Sequence, residues 1–129
     1  MSNVLLDTHA FYWWVSAPEL IDKRAKGAIT RAQRVLVSDA SLWELVIKEA
    51  TRYPIIGSDD VAGWFRDALR RTGFEPLAIT REHIGAAQRL PVHHRDPFDR
   101  LLVAQAQLER CALVSRDQVL TAYDVPVIW

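Results

Sequence analysis

A chain of 129 residues, half of them apolar and a quarter charged, suffices for one layered hydrophobic core and is too short for two ordinary domains, so residues 1–129 read as a single domain. Sixteen Lys and Arg cancel sixteen Asp and Glu, which excludes a global field drawing the molecule onto nucleic acid or a membrane; any polyanion must be met locally. A lone cysteine excludes an intramolecular disulfide, no run approaches the roughly 20 apolar residues of a membrane span, and Met-Ser-Asn-Val is no basic leader, so the chain reads as cytoplasmic with no membrane partner.

In chain order, Val4-Leu-Leu6 is an apolar run that stops abruptly at Asp7, the pattern of a buried strand feeding a functional loop. Residues Ala10 to Val15 are bulky and aromatic, Pro18 opens a helix, and Glu19 to Arg34 mixes charged and apolar residues at helical spacing. Arg34 to Val37 is a second strand, followed by a helix over Leu42 to Tyr53. Ser58 to Thr72 forms an amphipathic helix capped by Ser58 or Asp59 and closed by Gly73. Pro76 to Ile79 is a third strand, and Thr80 starts a short helix that stops before Pro91. Asp96 and Pro97 start a helix over Phe98 to Arg110. The strand Ala112 to Val114 ends at Ser115-Arg-Asp117, and Val125 to Ile128 supplies an edge strand. Short, wholly apolar strands alternating with helices predict an α/β domain of three layers, α/β/α, around a mainly parallel sheet.

In such a sheet ligands bind beyond the C-terminal strand ends. That edge is loaded with acid: Asp7 follows the first strand, Glu44 lies early in the helix after the second, Asp117 follows the strand Ala112 to Val114, and Asp96 and Asp99 begin the helix before it. Gathered carboxylates raise one another's pKa values unless a cation offsets them. Mg²⁺ or Mn²⁺, which prefer oxygen ligands, resolve the repulsion and suit metal-assisted phosphodiester hydrolysis. Each acid also has a structural reading. Ser41 and Glu44 match a capping box, Asp96 is a natural N-cap, Asp99 favours a positive helix end, and Asp117 suits a turn or a short helix over Gln118 to Ala122. Asp7 alone has little structural explanation on sequence grounds, and the joint placement of the acids outweighs any one of them.

The segments Leu5-Leu-Asp-Thr-His-Ala10, Ser41-Leu-Trp-Glu44, His94-Arg-Asp-Pro-Phe-Asp-Arg-Leu-Leu102 and Leu113-Val-Ser-Arg-Asp117 span the chain. In order and spacing they resemble the PIN-domain nucleases, in particular the VapC-type toxins of toxin–antitoxin pairs. The resemblance implies a PIN-like fold whose acidic quartet is Asp7, Glu44, Asp99 and Asp117, with Asp7 and Asp99 as primary metal ligands and Asp96 as an accompanying acid. It further implies a Mg²⁺-dependent endoribonuclease, with Mn²⁺ substituting. Such a protein is usually a homodimer, held silent by a VapB-like cognate antitoxin whose C-terminal segment lies beside the active site. Ser115 stands where the family often has Thr, a change that keeps the hydroxyl.

Supporting residues follow from position. Thr8 is placed to hydrogen-bond a metal-bound water or a neighbouring carboxylate, or to make a local turn contact. Arg95, Arg100 and Arg116 flank the acids and could hold RNA phosphates or remain solvated. His93 and His94 lack a third soft ligand, so no zinc site is assigned. The aromatics Phe11 to Trp14, Trp43, Trp64 and Phe65 divide between core and an interface in a proportion the sequence leaves open. The competing reading from another class is a non-catalytic cation-binding or signalling α/β module, though no second acid accompanies Asp7 and no Lys lies near the last strands.

Overall fold

The computed structural model describes residues 3–129. Five strands, β1 (Asn3–Leu6), β2 (Arg34–Ser38), β3 (Glu75–Leu77), β4 (Ala112–Val114) and β5 (Val127–Ile128), form one sheet in the order β3-β2-β1-β4-β5. Every pairing is parallel, with Leu5 beside Leu36 and Leu113. Among the described residues there are six α-helices, α1 (Thr8–Ser16), α2 (Lys23–Arg31), α3 (Asp39–Glu49), α4 (Val61–Thr72), α5 (Arg81–Arg89) and α6 (Pro97–Glu109), with 3₁₀ turns at Pro18–Leu20 and Gln118–Ala122.

Successive strand side chains point to opposite faces, and this sorts the core into two layers. Val4, Leu6, Val35, Val37 and Val114 pack with Phe11 of α1, Ile29 of α2, Leu45 of α3 and Phe65 of α4. Leu5, Leu36 and Leu113 face the other way, against Leu102, Val103 and Ala106 of α6. The three-layer arrangement therefore rests on strands that are apolar on both sides, as expected of a covered parallel sheet. Cys111 lies buried in the second layer, where loss of solvent pushes its thiol up from the ordinary value.

Several boundaries differ from the sequence expectation. The stretch expected to be one helix from Glu19 to Arg34 is a single 3₁₀ turn, Pro18–Leu20, followed by α2; between them Ile21 is extended and buried, drawing the chain back to the core. The aromatic stretch after Asp7 is itself a helix, α1. α3 starts at Asp39, capped by Ser38, and stops at Glu49. Its carboxylate then accepts from the amides of Ile56, Gly57 and Ser58, fixing the following loop. The cap of α4 is Asp60, whose Oδ1 accepts from Gly63 N at 3.0 Å. A Cβ on Gly63 would crowd the Asp60 carboxylate, so a larger residue there would make the capping side chain shift. β3 is limited to three residues and takes Pro76 because it is an edge strand.

Candidate active site

The sheet reverses direction of growth between β1 and β4, where neighbouring crossovers diverge and leave a crevice at the strand C-termini. Asp7, the first residue past the central strand, is held there twice. Its amide donates to Val114 O at 3.0 Å, and its Oδ1 accepts from Ala10 N at 2.8 Å, capping α1. Asp7 thus has the structural role that the sequence reading did not find, in addition to its place in the crevice. Burial pushes its carboxyl above the usual carboxylate range, opposed by hydrogen bonds from the Ser115 hydroxyl and the Ala10 amide.

Glu44 comes in from α3. The helix is capped by Ser38, whose Oγ accepts from Ala40 N at 3.0 Å, so the Ser41–Glu44 capping box does not form. Ser41 and Glu44 lie beyond the cap, inside the helix, and both turn toward Thr8. The Thr8 hydroxyl donates to Glu44 Oε1 at 2.5 Å and, having one proton, accepts from Ser41 Oγ at 3.0 Å. Lys48, one turn on, reaches Glu44 Oε2 at 3.0 Å.

Asp96 caps α6 by accepting from Phe98 N at 2.8 Å, which places Asp99 in the first turn. The Asp99 carboxyl is pushed up to about 7, first by burial, then by the negative charges of Asp96, Asp7 and, more weakly, Glu44; His94 opposes them. Asp117 caps the 3₁₀ turn Gln118–Ala122 through Oδ1, which accepts from Val119 N at 3.0 Å, and its own amide donates to Ser115 Oγ at 3.1 Å. Ser115 thereby ties Asp117 to Asp7.

His94 joins the two halves of the cluster. Its Nε2 lies 2.8 Å from Asp117 Oδ2 and 3.3 Å from Asp99 Oδ2. Its Nδ1 accepts from Asp96 N at 3.0 Å, which leaves the ring proton on Nε2, pointing at the two carboxylates. The loop bearing His94 is anchored from behind. Tyr123 Oη accepts from the amides of His93 and His94, while the Arg100 guanidinium donates to Tyr123 Oη and to the carbonyls of Ala87, Leu90 and Pro91. Arg100, a phosphate candidate on sequence grounds, is thus occupied in building this loop. Arg95 is exposed outside the cleft, and Arg116 stands on its wall.

Asp7, Thr8, Glu44, Asp96, Asp99 and Asp117 line one cleft of ≈ 330 Å³, joined by His9, Trp13, Lys48 and Arg116. A larger cavity of ≈ 750 Å³ lies elsewhere, lined by Asn3, Arg31 and Arg110 among others, and brings in none of these acids. The cleft's donor set fits a hard divalent cation: the free ligands are carboxylate oxygens, and Asp99, raised first by burial, is raised further by the charges of Asp96, Asp7 and Glu44. His94, Asp99 and Asp117 bring ligand-type atoms within 4.8 Å of one another. The imidazole offers that group a proton, with its lone pair engaged by Asp96 N, so the set is oxygen-based and not a zinc site.

Sequence reasoning missed His94 as a donor and Lys48 altogether. Lys48 was findable, since a Lys four residues after a Glu on a helix is a natural partner. Residue type suggests metal ligation for His94; its contact to the amide two residues on has no signature in residue type.

Comparison with known proteins places this geometry. Residues 4–126 match the PIN domain family model. The chain is 30% identical over 128 residues to Ribonuclease VapC22 of Mycobacterium tuberculosis, covering 98% of this chain and 95% of that protein. Among solved structures it is similar to VapBC2 from Rickettsia felis bound to a promoter DNA fragment, with a TM-score of 0.71 at 11% identity, covering 97% and 96% of the two chains. It is likewise similar to FitAcB from Neisseria gonorrhoeae, with a TM-score of 0.66 at 17% identity and 96% and 95% coverage. VapBC-5 from M. tuberculosis gives 0.63 at 17% identity, covering 98% of each chain.

Proposed function

The chain belongs to the PIN-domain family, among its VapC-type members, and on that premise we propose that it is a divalent-metal-dependent endoribonuclease acting as the toxin of a toxin–antitoxin pair. The observation that carries the reading is the convergence of Asp7, Glu44, Asp99 and Asp117 on one cleft at the sheet's C-terminal edge. Asp7 and Asp99 would hold the ion, with Glu44 and Asp117 completing its surroundings and Mg²⁺ or Mn²⁺ as the ion of choice. An ion held by these residues would offset the charge of the carboxylates and would supply Lewis-acid activation of water for phosphodiester hydrolysis.

The chain's own residues do the positioning. Thr8 and Lys48 hold one oxygen of Glu44 each, fixing its orientation. Ser115 holds Asp7 and the Asp117 backbone in register. His94 donates its Nε2 proton toward Asp99 and Asp117, keeping both carboxylates turned inward. Asp96 sets the start of α6 and so the position of Asp99. Arg116 on the cleft wall is the cation placed to meet a substrate phosphate.

The partner would be a VapB-like antitoxin, since the similar solved structures include toxin–antitoxin complexes. A homodimer fits the apolar surface left open on and after α3, where Trp43 is 58% and Tyr53 78% exposed. A cytoplasmic setting is part of the proposal; among the described residues no helix is long and apolar enough to cross a membrane.

The test is sequencing of RNA ends after incubation of total RNA with the purified chain and Mg²⁺, beside the Asp7→Asn variant and an EDTA control. Asn is as good an N-cap as Asp, so α1 survives the substitution. Discrete cleavage by the unaltered chain, lost in both controls, is expected. Undiminished cleavage in EDTA or by Asp7→Asn refutes the mechanism, and metal binding without cleavage supports a cation-binding module instead.

A further inference from the structure

The cleft continues past the acids along a line of aromatic rings. His9 and Trp13 of α1 have ring centroids 5.4 Å apart at 39°, and Trp13 and Trp129 follow at 5.8 Å and 59°. His9 and Trp13 line the acidic cleft, whereas Trp129 lines a neighbouring groove of ≈ 660 Å³. Arg116 belongs to both walls, so the two depressions adjoin. Lys23 and Lys26, three residues apart on one face of α2, border the second groove.

We propose that this line, His9, Trp13 and Trp129 with Arg116, Lys23 and Lys26, is the track for the unpaired RNA strand that flanks the scissile phosphate. The proposal rests on the nuclease reading and adds the substrate's route and conformation to it. Unpaired strands are recognised by stacking bases on aromatic faces while cations follow the backbone, and stacking tolerates any base. Trp13 and Trp129 are each partly buried against the core and partly open, as a fixed platform should be. A duplex would present no free base faces to these rings.

Charge supports the same occupant. None of Arg116, Lys23 and Lys26 takes part in an ion pair among the described residues. Glu19 and Asp22 also border the groove, so its cationic and anionic groups nearly balance and the three cations act as individual contacts. With the whole chain at zero net charge and the groove nearly balanced, these unpaired cations give the RNA backbone its local contacts and leave most of the affinity to the rings.

The probe is a fluorescein-labelled oligouridylate of about 12 nucleotides, titrated by anisotropy into the full chain carrying Asp99→Asn to prevent cutting. In that background Trp13→Leu and Trp129→Leu should each weaken binding by about 5- to 100-fold, while Trp13→Phe, which restores a ring, should recover much of it. Leu keeps apolar bulk at both positions, and thermal melts of each variant verify that the fold persists. Lys26→Gln and Arg116→Gln should each reduce the slope of log K against log salt by about 0.7. Unchanged affinity in both Leu variants overturns the track, whether or not they lose a protein partner. Cleavage of total RNA by the chain without these substitutions is measured in parallel. Its absence counts against the nuclease reading, whereas cleavage together with unchanged Leu-variant affinity counts against the track alone.

Discussion

Replacing Asp99 by Asn should make the metal-free protein more stable at alkaline pH while destroying its activity, a combination that an ordinary core mutation does not give. The Asp99 carboxyl is raised from 3.8 to about 7, by burial first and by neighbouring carboxylates second. The folded state therefore binds this proton more tightly than the unfolded chain does. Its stabilising contribution is complete below about pH 3.8, falls as the pH rises, and is gone above about 7. The rise from 3.8 to about 7 corresponds to about 4 kcal/mol, and screening at a side chain that is 22% exposed brings this to about 2–4 kcal/mol.

Asn carries no charge at any pH, so in EDTA at pH 8 Asp99→Asn should melt above the wild type. With about 3–5 °C per kcal/mol for a chain of this size, the difference is about 6–20 °C, narrowing toward zero near pH 4. The Asn side chain keeps an oxygen for His94 Nε2–H, so the local contact is not lost with the charge. Mg²⁺ should then raise the wild-type midpoint more than that of the variant, because only the wild type presents the full carboxylate set. Scanning calorimetry at pH 4, 6 and 8, with and without Mg²⁺, reads all of this. A variant that melts at or below the wild type in EDTA at pH 8, or an offset independent of pH, would refute the claim that burial, with the neighbouring carboxylates, makes the Asp99 charge costly in the metal-free fold.

Thr8→Val leaves buried Glu44 Oε1 without its donor and should cost about 1–3 kcal/mol in denaturant unfolding, with a fall in kcat larger than any rise in KM. His94→Ala should lower cleavage strongly and alter Mn²⁺ affinity measured by calorimetry, whereas His94→Gln, with an amide N–H still able to reach the carboxylates, should recover part of both. Tyr123→Phe removes the acceptor for the His93 and His94 amides, so it should destabilise the fold by about 1–3 kcal/mol and reduce cleavage although Tyr123 is no part of the acidic cluster.

The sheet was legible because its strands are apolar on both faces: Val4-Leu-Leu6, Val35 to Val37 and Ala112 to Val114 need cover on two sides, and only a parallel, helix-coated sheet supplies it. The acids at the strand ends were legible for the same topological reason. Boundaries were harder to read where tertiary packing overrode local spacing. Ile21 interrupts a helical pattern because its side chain is needed in the core, and the aromatic run of α1 shows no clean amphipathic period because several of its rings are partly buried on different sides. Asp7 looked free of structural duty because its capping bond to Ala10 requires knowing that a helix begins at Thr8.

Arg100 and His94 show the remaining limit. Both sit within the same acidic segment, and residue type suggests phosphate contact for the arginine and metal ligation for the histidine. Their actual work depends on backbone carbonyls and amides, which carry no sequence identity. Arg100 meets carbonyls at the end of α5 and in the loop beyond it, and His94 Nδ1 meets the Asp96 amide; each contact settles what the rest of the side chain can do. An imidazole whose lone pair is already engaged can only give a proton to the cluster, and a guanidinium surrounded by carbonyls has little left for RNA. With Lys48 paired to Glu44, the cation that faces the cleft without a carboxylate partner among the described residues is then Arg116, one residue before Asp117, on the loop that also joins the acids to the aromatic line of Trp13 and Trp129.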